Sequence, residues 1–95
     1  MKILSPEELN NWLKNNENWV LLNDEISCVF TFKDFYQAMG FIIQVGIKAE
    51  KHNHHPTIKN VYNVVTISMT THDAGNKVTD RDTNLAEEIE KLNIY

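Results

Sequence analysis

The chain has 95 residues, 42% of them hydrophobic and 23% charged, with nine Lys or Arg against thirteen Asp or Glu and a net charge of −4. A chain this short holds one core, so residues 1–95 are expected to form a single domain, burying roughly 60–65% of the surface an unfolded chain exposes. The composition excludes a disordered tail, the acidic balance argues against direct nucleic-acid binding, and no apolar run approaches the length of a membrane span. Met1-Lys2-Ile3-Leu4-Ser5-Pro6 carries no signal-peptide core. Cys28 is the only cysteine, so no disulfide can form within the chain, and a lone thiol suits a reducing compartment. A soluble, cytoplasmic protein is expected.

In chain order, Ser5-Pro6-Glu7-Glu8 carries the signals of a helix start: a capping Ser, Pro at the first helical position and Glu three residues after the cap. Leu9, Trp12 and Leu13 follow at helical spacing and Asn15-Asn16 closes the element. Trp19–Leu22 is a short apolar stretch, Asn23-Asp24-Glu25 a turn, and Ile26, Cys28, Phe30 and Phe32 alternate as one buried face of a strand. Asp34 caps the longest helical pattern, which runs to about Lys51. Thr57–Val61 and Val64–Thr71 form a second hairpin around Tyr62-Asn63, one face of it rich in threonine. Asp73–Lys77 is a loop, and Thr79, with Asp82 three residues on, or Asp80 itself, opens a last helix with Leu85, Ile89 and Leu92 in one stripe. The order α-β-β-α-β-β-α predicts an α+β fold: a four-stranded antiparallel sheet with the helices on one face.

The central helix is apolar over too wide an arc. At 100° per residue Phe35, Ala38, Met39, Ile42, Gly46 and Ala49 share one stripe, and Phe41, Ile43, Val45 and Ile47 widen it past half the circumference. One face is expected on the chain's own sheet and the other on a second subunit, giving a homo-oligomer. Gln37, Gln44, Lys48 and Lys51 fill the polar arc, whereas Glu50 projects about 60° from the stripe's centre. It reads either as a partly buried functional group or as a fraying end residue.

Three of the four histidines, His52, His54 and His55, fall within four positions at the exit of this helix; His72 lies beside Asp73 after the last strand. Histidine gives and takes protons near neutrality, so converging histidines can run acid–base chemistry. The residues alone leave three readings open: a solvated polar turn, a metal site drawing on His52, His54, His72 or Glu50, and a metal-free acid–base site. Neighbouring side chains on extended backbone diverge, so a site using both His54 and His55 needs a turn. Pro56 holds His55 extended and ends the helix before it.

Glu50-x-x-x-His54-His55-Pro56, five residues to Tyr62, nine more to His72 and a downstream Asp82 resemble the signature of the pterin-4a-carbinolamine dehydratases. Phe30–Phe35, Ala49-Glu50-Lys51, Asn60–Asn63 and Arg81-Asp82-x-Asn84-Leu85-Ala86 look like that family too, extending the similarity from about Trp19 to Ile89. The resemblance implies dehydration of a 4a-hydroxytetrahydropterin to the quinonoid dihydropterin, with no cofactor and no metal, in recycling the tetrahydropterin used by aromatic amino acid hydroxylases. It implies catalytic roles for four residues. His54 and His72 would be acids flanking the pterin, His55 would orient the ring, and Glu50 would be a base or a histidine's partner. Asn53, Thr70, Thr71 and Asp73 would contact the pterin edge, and Trp19 matches an aromatic near the family's pocket. It also implies dimers or tetramers; alternatives are a dimerization cofactor for a protein partner, as in animal members, or action on another pterin. The chain departs from the pattern at Asn53, where many members carry Asp, and at Ile58, where many carry Trp. The segment between His72 and Asp82 is one residue longer than in animal members.

Overall fold

A computed structural model describes residues 1–92 of the chain, and its elements follow the predicted order. Helix α1 (Pro6–Asn15) starts in a capping box: the Ser5 hydroxyl accepts from the Glu8 N–H while the Glu8 carboxylate accepts from the Ser5 N–H. Strands β1 (Val20–Leu22) and β2 (Glu25–Thr31) are joined by Asn23 and Asp24. Both have φ of 53–60°, the left-handed geometry that a tight two-residue hairpin demands and that Asn and Asp tolerate. Glu25 therefore belongs to the strand rather than to the turn. Helix α2 (Phe35–His52) is capped by Asp34, whose carboxylate accepts from the Gln37 N–H at 2.8 Å. Strands β3 (Thr57–Val61) and β4 (Val64–Met69) form the second hairpin. A single 3-10 turn, His72–Ala74, lies within the expected loop, and α3 (Asp80–Glu90) starts at a Thr79–Asp82 capping box.

The strands form one antiparallel sheet in the order β1-β2-β4-β3. Alternation sends Ile26, Cys28 and Phe30 of β2 and Val65, Ile67 and Met69 of β4 to the helix-covered face, all buried. Phe41 of α2 meets Phe30 and Phe32 with ring centroids 4.7 and 4.9 Å apart; such pairs add about 0.5–1.5 kcal/mol each beyond their burial. The opposite face is open and mixed, with the Ser27 and Ser68 hydroxyls 3.0 Å apart across β2 and β4 and Val20, Leu22, Val29 and Val61 exposed around them. Ile58, on edge strand β3, pairs with Ile67 and is partly exposed, so the edge of the sheet accepts it in place of a larger ring.

The wide apolar arc of α2 divides in two, but not about the predicted centre. The side buried on the sheet is Ala38, Phe41, Val45 and Ala49, whereas Phe35, Met39, Ile43 and Ile47 stay exposed. The sheet selects the side with Phe41 because that ring fills the space between Phe30 and Phe32; periodicity alone weights both sides equally.

The segment before α1 straps the start of α3. Leu4 N–H donates to the Val78 carbonyl, Asp80 N–H to the Lys2 carbonyl, and Lys2 N–H to the Asp80 carboxylate. That last bond holds the Asp80 carboxyl below its ordinary range. The strap thereby fixes the turn of α3 that carries Asp82.

Candidate active site

Asn53 ends α2 in the left-handed conformation, φ 48° and ψ 44°, with its N–H returned to the Ala49 and Glu50 carbonyls. Asn tolerates this conformation better than most residues, so the residue that departs from the family pattern suits its backbone. The turn redirects the chain, and His54 N–H bonds the Ala49 carbonyl at 3.1 Å. His54 then runs inward to α3 while His55 folds back along α2.

His54 is buried, and its Nε2 lies 2.6 Å from Oδ1 of Asp82, which is fully buried. The other carboxylate oxygen accepts from the Thr71 hydroxyl at 2.8 Å and the Thr79 N–H at 2.9 Å. Since the Thr71 proton goes to Asp82, the 2.7 Å contact between the Thr71 and Thr79 hydroxyls is donated by Thr79. Thr79 Oγ1 in turn accepts from the Arg81 N–H. A buried carboxylate is tolerated when every lone pair is engaged, and this chain of bonds supplies the partners.

His55 Nε2 lies 2.7 Å from Glu50 Oε1, with the side chains 59% and 80% exposed. Glu50 is thus neither buried nor on a frayed end: α2 continues to His52 and the carboxylate is engaged with His55. His72 Nδ1 is 2.7 Å from Asn76 Oδ1; an amide oxygen only accepts, so Nδ1 carries the proton and Nε2 is the free acceptor. The same reasoning at the two carboxylates places the proton of neutral His54 and His55 on Nε2 and leaves Nδ1 free.

His54, His55 and His72 line one cavity of ≈ 190 Å³, open to solvent. Asn53, Thr70, Thr71 and Asp73 line it as well. The Thr70 hydroxyl is buried without a hydrogen-bond partner among the described residues. Glu50 does not line the cavity and reaches it only through His55. Trp19 stands apart: it is 2% exposed in the core, edge-on to Phe30, with its indole N–H on Glu90. It belongs to the core and does not line this cavity. Its shape fits the space above the sheet, and its polar atom has a partner there.

Two residues were not singled out as site residues from the sequence. Asp82 was visible only as a distant position in a spacing pattern, and its pairing with His54 crosses 28 residues. Arg81 lines the cavity; the signal that could have found it is that it is the chain's one arginine among eight lysines. Among the described residues, no group of three or more His, Cys, Asp or Glu is arranged to hold a metal ion.

An α+β layer that brings three histidines to one cavity, each with one nitrogen held and the other free, is an arrangement able to exchange protons with a small polar ligand. Residues 2–92 match the family model described as pterin 4 alpha carbinolamine dehydratase. The chain belongs to this family. It is 38% identical over 92 residues to a protein of Prochlorococcus marinus (strain NATL2A) named by inference as a pterin-4-alpha-carbinolamine dehydratase; the match covers 97% of this chain and 96% of that one. A relative from Solibacter usitatus (strain Ellin6076), named the same way, is 39% identical over 89 residues, or 94% and 93% of the two chains. Among solved structures, a transcriptional coactivator/pterin dehydratase from Brucella melitensis superposes with a TM-score of 0.86 at 36% identity, covering 93% of this chain and 95% of that one.

Proposed function

We propose that the chain, as one domain over residues 1–95, dehydrates a 4a-hydroxytetrahydropterin to the quinonoid dihydropterin and water in cytoplasmic tetrahydropterin recycling. The observation that carries this reading is the convergence of three histidines on one cavity, two of them bonded to carboxylates at 2.6 and 2.7 Å. The elimination transfers one proton to the leaving hydroxyl and removes one from the neighbouring ring nitrogen as the carbon–oxygen bond breaks and a carbon–nitrogen double bond forms. In their imidazolium forms His54 and His72 serve as the acids. The one proton for the leaving hydroxyl comes from Nδ1 of His54 or Nε2 of His72, the nitrogens not held by Asp82 and Asn76. His55 orients the ring and takes the nitrogen proton at Nδ1, with Glu50 stabilising the imidazolium that results. Exposure of the His55–Glu50 pair lets solvent restore the protonation state. Asn53, Thr70, Thr71 and Asp73 contact the polar edge of the pterin, and neither cofactor nor metal is required.

The exposed apolar face of α2, Phe35, Met39, Ile43 and Ile47, supports assembly into dimers or tetramers, because such patches mark interaction surfaces. A docking role for a protein partner is the second reading. It is favoured by the same face and by the coactivator wording attached to the Brucella structure, and it would not use the histidines.

Stopped-flow dehydration of a synthetic 4a-carbinolamine tests the enzymatic reading. Acceleration over buffer, a loss of at least tenfold in His55→Ala and in His72→Ala, and indifference to EDTA are expected. A wild-type rate equal to buffer would refute it, and mass in solution with and without a partner tests the docking role.

A further inference from the structure

The acid–base scheme leaves one cavity-lining group unused. Arg81 is the single arginine of a chain whose other eight cations are lysines, and it stands on the cavity. Its backbone is fixed by the bond from its N–H to Thr79 Oγ1, at 3.2 Å, beside the strapped residue Asp80. Its side chain is exposed and has no hydrogen bond or ion pair among the described residues. The carboxylates beside it in sequence are engaged elsewhere, Asp80 accepting from Lys2 and Asp82 from His54, Thr71 and Thr79, while Asp73 shares the cavity lining with it. A guanidinium is a planar fork that matches carboxylate or phosphate oxygens two at a time, which an ammonium cannot do.

The reaction itself says where this charge acts. As hydroxide leaves, positive charge develops on the ring, and a cation against the ring would oppose it. Arg81 lines the cavity with an exposed side chain, a placement suited to meeting a ring substituent directed toward solvent rather than the ring itself. We propose that Arg81 is a specificity-determining residue that binds an anionic substituent of the pterin, a phosphate or a carboxylate, and so selects such pterins over those with neutral side chains. This rests on the dehydratase reading of the same cavity.

The experiment compares carbinolamines bearing a 6-methyl, a 6-carboxy or a phosphorylated 6-hydroxymethyl group, with wild type, Arg81→Gln and Arg81→Lys. Binding of the corresponding stable oxidised pterins is followed in parallel by their fluorescence. In wild type an anionic substrate is expected to exceed the 6-methyl substrate at least tenfold in kcat/KM, chiefly through KM and less so at high salt. Arg81→Gln should bring that ratio close to one and Arg81→Lys should retain part of it; the carboxy and phosphoryl arms show which anion is preferred. A wild-type ratio near one, or an equal loss on all three substrates in Arg81→Gln, would overturn the proposal. If no carbinolamine is turned over, the dehydratase reading fails by itself, and the same ratio read from binding still decides the role of Arg81.

Discussion

Replacing Asp82 with Asn changes almost nothing in shape and much in chemistry. The native carboxylate accepts three hydrogen bonds, from His54 at 2.6 Å, Thr71 at 2.8 Å and Thr79 N–H at 2.9 Å. Asn keeps one oxygen, which must face Thr71 and Thr79 because the Thr79 N–H can only donate. The amide NH2 then faces His54, so Nε2 must accept and the imidazole proton moves to Nδ1, the nitrogen that was free. Bonds to a charged acceptor contribute about 1.5–3 kcal/mol and neutral ones about 0.5–1.5. Loss of the charge, at about 1–1.5 kcal/mol for each of three bonds, is worth about 3–4.5 kcal/mol, which lowers the melting temperature by roughly 12–36 °C in a domain of this size. Without the carboxylate the His54 imidazolium loses its stabilising charge, so on the proposed dehydratase reading His54 serves less well as the acid and the dehydration rate should fall by roughly 10²-fold or more. Stopped-flow turnover and thermal unfolding by circular dichroism, both recorded below the variant's transition, check the two halves. A variant of wild-type rate that melts within 2 °C of wild type would refute the reasoning, from the His54 tautomer to the worth of the buried carboxylate.

Three further outcomes are expected. His54→Ala leaves the buried Asp82 Oδ1 without its partner, only Oδ2 keeping the Thr71 and Thr79 bonds, and should cost about 3–5 kcal/mol, whereas His55→Ala breaks an exposed pair worth about 0.2–1 kcal/mol; equal denaturation midpoints would contradict this. Burial, reinforced by the negative charge of Glu90, pushes the Cys28 thiol up to about 12. Iodoacetamide at pH 8 should therefore label the native protein at least a hundredfold more slowly than the urea-unfolded chain, and equal rates would count against it. The bond from the Lys2 ammonium, helped by the Ser5 N–H, lowers the Glu8 carboxyl to about 2 from its ordinary 4.5. A depressed folded-state value stabilises above the unfolded one, so the contribution is full above about pH 4.5 and lost on acidification toward pH 2. Glu8→Gln should lower the denaturation midpoint slightly at pH 7 and not at pH 2; the reverse order would refute the assignment.

The parts of this fold that were legible from the sequence are those set by neighbours in the chain. Ser5-Pro6-Glu7-Glu8, Asp34 and Thr79 announce helix starts because caps bond within three residues, and the alternation from Ile26 to Phe32 announces a strand because pleating has a period of two. The excess apolar width of α2 was legible as well. Which half of it meets the sheet was not, since that is decided by the fit of Phe41 between Phe30 and Phe32. Clustering of His54 and His55 could be read from their spacing, but their divergent partners could not. One is 28 residues away on α3 and the other reaches back along α2. Trp19 is placed near the pocket by resemblance alone, whereas its packing puts it in the core, away from the cavity lining.

The strap from Lys2 to Asp80 bears on how the site comes into being. Its bonds join residues 78 positions apart, and they brace the turn that delivers Asp82 to His54. Contacts of such long range close late and slowly, because the intervening chain must first be ordered. The His54–Asp82 pair joins the end of α2 to α3, so it is complete only when those two elements are docked. A nascent or partly unfolded chain would display its histidines without the buried carboxylate that orients one of them, so turnover would follow completion of the fold rather than the formation of any one element.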